Sequence, residues 1–219
     1  LLRKKMKSIL KILAASLMIM SLTSAKAEIQ YGFAIIAGQA DVSGTESEGT
    51  NPDTSDRSKT IKETFVGGDI FIESVTDEGV ALGLSYVPVK IELGSGSRTD
   101  TAVAAANGGA ENDTGTRTAS AELSNLITAY TNIPISSNGL YTLLGVHMAT
   151  VETTETLNTE SYGDEDIFGA QIGFGVRKGN IKYELAYSDF EDIKISSSGG
   201  ANSVSADADV LSLRLSYGF

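Results

Sequence analysis

Eight stretches in which apolar residues alternate with small or polar ones, joined by connections that are alternately long and short, restrict this chain more than any other feature. The runs cover about residues 31–40, 64–74, 80–86, 120–133, 140–151, 168–177, 181–188 and 211–219. The sixth sets Phe168, Ala170, Ile172, Phe174 and Val176 against Gly169, Gln171, Gly173, Gly175 and Arg177. The last sets Leu211, Leu213, Leu215, Tyr217 and Phe219 against Ser212, Arg214, Ser216 and Gly218. A period of two marks a β-strand whose faces meet different surroundings.

Two folds would produce such strands. In a soluble sandwich the apolar face packs inward and the polar face meets water. In a membrane barrel apolar residues face lipid, and small or polar residues line the interior. The polar set here is rich in Gly, Ala and Ser and sparing of charge, which suits a narrow interior. The connections decide the matter. Residues 42–63, 94–119, 152–166 and 196–209 form long ones, while 76–79, 135–139 and 179–180 are short. Barrels of the bacterial outer membrane have an even number of strands, short periplasmic turns and longer external loops. The pattern predicts an all-β chain, an eight-stranded antiparallel up-and-down transmembrane β-barrel. Both termini would lie on the periplasmic side and the long loops outside the cell.

Aromatic residues mark the strand ends. Tyr31, Tyr130, Tyr141, Tyr183, Tyr217 and Phe219 fall near the short turns, and Phe65, Tyr86, Phe168 and Phe190 toward the long loops. Two belts are expected where rings sit in the headgroup layers. Pro88 cannot donate to a ladder, so a bulge or frayed strand is expected there.

Residues 1–27 read as a signal peptide, leaving 28–219 as one barrel domain. Arg3, Lys4, Lys5, Lys7 and Lys11 precede an apolar stretch over 12–22, and Ala25-Lys26-Ala27 has the small-x-small pattern of a cleavage site. The apolar stretch is about half the ~20 residues that a spanning helix needs. Removing this segment leaves 11 basic against 28 acidic residues, a net charge of −17. That charge disfavours nucleic-acid binding, which needs a basic footprint. With no Cys and one His, the chain offers no disulfide framework, thiolate site or multi-histidine metal centre, and no cofactor is called for.

Leu213, Leu215, Tyr217 and terminal Phe219 resemble the assembly signal of outer-membrane proteins, an aromatic last residue after alternating apolar positions. With the eight-run layout, the chain resembles the family of small outer-membrane barrels that includes OmpA-type and OmpX-type domains. The resemblance implies insertion by the barrel-assembly machinery, a monomer surrounded by outer-membrane lipid and lipopolysaccharide, and a barrel too narrow for a wide pore.

The alternation places Asp69, Glu73, Glu122, Arg177, Lys182, Glu184 and Arg214 inside. An eight-stranded interior is filled by side chains, and buried charges must be paired, so an acid–base network across the lumen is expected. The alternative for the same residues is a narrow ion pathway. His147 is the one candidate imidazole for catalysis, yet spacing supplies it with no Ser–acid pair, so no catalytic residue is expected. The acidic connections, densest at Asp164-Glu165-Asp166, suit solvated loops better than a calcium site, for no EF-hand or nonapeptide repeat is present. The function these features imply is a non-catalytic structural or cell-surface role, with a small porin-like channel as the alternative.

Overall fold

The computed structural model describes residues 27–48, 57–100, 115–156, 161–198 and 202–219. The expected signal peptide, except for residue 27, lies outside them. Ten strands follow one another: β1 (Ala27–Glu48), β2 (Arg57–Thr76), β3 (Ala81–Val87), β4 (Ile91–Asp100), β5 (Gly115–Pro134), β6 (Leu140–Glu155), β7 (Glu165–Lys178), β8 (Ile181–Phe190), β9 (Ile193–Ser196) and β10 (Asn202–Gly218). Eight of them form an antiparallel ring in the order β1, β2, β3, β5, β6, β7, β8, β10, and β10 pairs back to β1. Strand β4 continues β3 beyond Pro88, and β9 continues β8. Closure joins the two ends of the chain. The Phe219 amide donates to the Tyr31 carbonyl at 2.9 Å, and the two rings meet edge to face at 4.8 Å.

The short turns follow local chemistry. Thr76 accepts from the Gly79 amide at 2.8 Å, and Gly79 (φ 84°) takes a left-handed conformation that a Cβ would disfavour. Gly139 (φ 89°) does the same before β6, where a Cβ would lie 2.2 Å from the Arg177 carbonyl oxygen.

Strands β1, β2, β5, β6 and β10, of 16 to 22 residues, are much longer than the 9–11 that cross a bilayer, because they run on into what the sequence suggested were loops. Fourteen of the 22 residues of the stretch 42–63 are strand, and β10 begins at Asn202 rather than near 211. Polarity inverts along the way. On β10, Leu211, Leu213, Leu215 and Tyr217 face outward in the half near the turns, with Ser212, Arg214 and Ser216 inside. Toward the loop end the outward face becomes Ser203, Ser205, Asp207 and Asp209, and the inner face becomes Val204, Ala206, Ala208 and Val210. On β6, outward Leu144, Val146 and Met148 give way to Thr150, Glu152 and Thr154, while His147 inside is followed by Ala149 and Val151. Strands β1, β2 and β8–β9 repeat the change. One half of the molecule is therefore a membrane-spanning barrel with an apolar outer surface. The other half is a barrel with a polar outer surface and an apolar interior, as water on the outside requires.

Among the described residues the wall has a seam between β2 and β4, and β9 likewise pairs with β10 alone. Strand β2 pairs with β3 between Ile70 and Val75, but beyond Tyr86 the chain breaks at Pro88 and β4 pairs with β5 alone. There β2 and β4 lie side by side without a ladder between them, the Ile61 side chain covering Gly94. At Pro88, where a bulge or a frayed strand is expected, the strand breaks and resumes as β4.

Four of the aromatics assigned to belts point inward instead. Tyr130 and Tyr141 are buried in the lumen, Phe190 is buried, and Phe65 is packed against the interior cluster. Each lies over a glycine directly opposite on the neighbouring strand: Tyr130 over Gly83, Tyr141 over Gly175, Phe190 over Gly169 and Phe65 over Gly38. A Cβ on Gly83 or Gly175 would come within 2.3 Å of the facing tyrosine ring. The glycines make room in a narrow lumen for rings that fill it.

Candidate functional site

The lumen has three levels. Nearest the turns, opposite charges interlock. Arg214 on β10 donates to both Asp69 carboxylate oxygens at 2.6 and 2.8 Å, and to Glu184 at 2.5 Å. Lys182 on β8 donates to Glu73 at 2.6 Å, and Arg177 on β7 reaches the other Glu73 oxygen at 2.7 Å. Arg177 also donates to the Gln30 side chain at 3.1 Å. Two phenols complete the layer, Tyr130 donating to Glu73 at 2.9 Å and Tyr141 to Glu184 at 2.7 Å. The Lys182 ammonium sits 4.3 Å above the Phe71 ring. Three carboxylates thus meet three cations, contributed by β2, β7, β8 and β10. Glu73 and Lys182 are almost wholly shielded, with side-chain exposures of 0% and 3%. Such burial requires this pairing, because removing either partner would strand a charge in a low-dielectric interior.

Six of the seven residues that alternation places inside lie in this layer. Glu122 does not. It lies toward the loop end and contacts Lys90 at 3.1 Å. Between Ser124 and Ile127 the β5–β6 register shifts by one residue, with Asn125 in a left-handed conformation (φ 52°). The bulge exchanges the faces of β5, so Thr128 and Tyr130 point inward on one side of it, and Ala121 and Leu123 on the other. Lys90 also bonds Glu152 at 2.7 Å. That bond, with a second from the Ser124 hydroxyl, holds the Glu152 carboxyl below its usual range.

Above the charged layer lies His147. Its Nδ1 faces the Thr128 hydroxyl at 2.8 Å and its Nε2 the Ser188 hydroxyl at 3.0 Å, and its ring stacks on Phe190. A Ser–His contact is therefore present. The group that orients the imidazole is a threonine hydroxyl, where a hydrolytic triad uses a carboxylate. Alternation could have indicated Ser188, which shares a face with Lys182 and Glu184. Tyr130 and Tyr141 were hidden by their resemblance to belt residues.

The third level is apolar. Val87, Ile91, Leu93, Leu123, Val151, Ile167, Phe190, Ile193 and Ile195 form one buried cluster. A cavity of about 80 Å³ lies beside it, reaching down to His147 and Arg214. Over it opens a larger cavity of about 460 Å³ at the loop end. Among the described residues no three His, Asp or Glu side chains converge as a metal site would require. Asp166 of the densest acidic run accepts from Thr150 at 2.9 Å. Other acids of the long connections, Asp53, Asp56, Glu111, Asp113 and Glu160, lie outside the described residues.

The outward residues of the proposed assembly signal, Leu213, Leu215, Tyr217 and Phe219, are all exposed on the lipid-facing surface.

No protein-family model matches the sequence, and no curated protein matches it. Solved structures do. Neisserial surface protein A is 10% identical, with a TM-score of 0.46 over 85% of this chain and 97% of that one. The outer-membrane protease OmpT of Escherichia coli is 9% identical, with a TM-score of 0.45 over 90% and 99%. Outer-membrane protein AlkL, determined in lipid bilayers, is 14% identical, with a TM-score of 0.50 over 90% and 93%. The likeness to AlkL, extending over nine-tenths of both chains, is one of fold, and the chain has the architecture of a small outer-membrane β-barrel.

Proposed function

We infer that the chain is a closed, non-catalytic barrel of the bacterial outer membrane that acts at the cell surface through its loop-end extension. Both termini and the short turns face the periplasm, and the extension stands in the external medium. The observation that carries this reading is the charged layer across the lumen. Asp69, Glu73, Arg177, Lys182, Glu184 and Arg214 are bonded to one another from four strands. A hydrated ion would have to displace paired, desolvated charges to pass. The outward belt of Leu, Ile, Phe and Tyr supports a monomer held in lipid, with lipopolysaccharide against its outer edge. Leu213, Leu215, Tyr217 and Phe219 would be read by the assembly machinery during insertion. His147, flanked by hydroxyls and stacked under Phe190, supports a structural rather than a catalytic role for the one imidazole.

Planar-bilayer recording of the refolded protein tests the reading. Closed bilayers with at most rare, small openings are expected. Steady conductance in most insertions would contradict it and favour a small porin.

A further inference from the structure

The apolar cavity at the loop end has a lining that a simple solvated extension does not need. Val42 of β1, Ile61 of β2, Leu93 of β4, Val151 of β6 and Ile193 and Ile195 of β9 all turn into a space of about 460 Å³. Apolar walls around a water-filled space carry a hydration cost, and exposed apolar patches of this kind mark binding sites. Small-molecule sites occupy about 300–1,000 Å³ and are lined mostly by apolar side chains. Gly94, Gly96 and Ala206 stand where larger residues would fill the space. Three charged groups lie in the lining: Glu155 accepts the Tyr162 amide, Glu46 the Tyr162 hydroxyl, and Lys59 of β2 stands with them. The floor is the apolar cluster, and the charged layer closes the lumen beneath it.

We propose that this cup binds a compact, uncharged apolar molecule, aromatic or aliphatic, that fits within its volume of about 460 Å³. An ionic ligand is disfavoured because its charge would be desolvated among apolar side chains, and the lining sets one cation, Lys59, against two carboxylates, Glu46 and Glu155, so that neither sign of charge finds a clear complement. Closure of the lumen beneath it makes the cup a site of capture rather than of passage. The proposal requires the apolar extension, not the absence of conductance, so its outcome is separate from that of the bilayer recording.

The test is photolabelling of the full chain refolded in lipid vesicles with 1-azidonaphthalene, mapped by peptide mass spectrometry. Lipid-facing peptides containing Leu213 and Leu215 report the background set by partition into the bilayer. Peptides containing Val42, Val151 and Ile193 are expected to label saturably. Excess naphthalene should reduce that labelling at least tenfold, whereas naphthalene-2-sulfonate should leave it unchanged. Ala206→Trp, which fills the cup, and Val204→Asp, which places a charge in its half-buried wall, should each lower cup labelling at least tenfold. Heat-modifiable gel mobility reports that each variant is folded. Cup peptides that stay unlabelled, or label no more than the lipid face and ignore naphthalene, would overturn the proposal. So would unchanged cup labelling in either folded variant.

Discussion

Arg214 holds two carboxylates at once, Asp69 and Glu184, and its guanidinium geometry explains why a lysine would not replace it. Arg214→Leu would leave those acids desolvated and unpaired, at a cost of about 3–5 kcal/mol. Urea unfolding in lipid vesicles should show the loss as a lower midpoint, and a variant also carrying Asp69→Asn and Glu184→Gln should recover much of it. An unchanged midpoint for the single variant would remove the network from the account of stability. Parity of alternation was enough to locate Asp69, Glu73, Arg177, Lys182, Glu184 and Arg214 in the sequence. It misplaced Glu122, because one added residue at Asn125 reverses the faces of β5, and an asparagine inside a polar-apolar run gives no warning of it. Tyr130 and Tyr141 were misassigned for a different reason. Their partners Gly83 and Gly175 lie on other strands, and the pairing that joins them exists only once the register is known.

At the scale of a strand, the inversion of polarity sets where the lipid ends. It was present in the sequence as alternation in opposite phase: Val204, Ala206, Ala208 and Val210 against Ser203, Ser205, Asp207 and Asp209. The small and acidic residues made these stretches resemble loops, so the connections looked longer than they are. The outward acids of the extension crowd one another. The neighbouring Asp192 carboxyl, then a slight loss of hydration and the charges of Asp209 and Asp189, raise the Asp207 carboxyl above its usual range. Lys194 lies nearby, 3.7 Å from Asp192. A raised folded-state value means that the ionised form weakens the folded extension at neutral pH. That penalty fades as pH falls through the folded value and is gone below the ordinary carboxylate range. Asp207→Asn should therefore slow hydrogen exchange in β9 and β10 at pH 7, and the difference from the parent should shrink on acidification. A difference that stays constant with pH would contradict this.

The whole molecule combines two barrels of opposite polarity on one continuous set of strands, with charged pairs filling the membrane half and apolar side chains lining the other. Ring order, strand number and the membrane half were legible from period and rhythm alone. The cup was not, because it depends on residues from β1, β2, β4, β6 and β9 that come together only in the closed ring. The account turns on where lipid gives way to water along a strand, and β10 permits a direct measurement because the chain has no native Cys. Single cysteines placed from 203 to 217 would carry nitroxide labels in lipid vesicles, with oxygen reporting lipid contact and a water-soluble nickel chelate reporting solvent. Positions 211, 213, 215 and 217 should be oxygen-accessible, positions 203, 205, 207 and 209 chelate-accessible, and residues 212, 214 and 216 shielded from both. Chelate access at 213 and 215, or a profile without the period of two, would contradict the account.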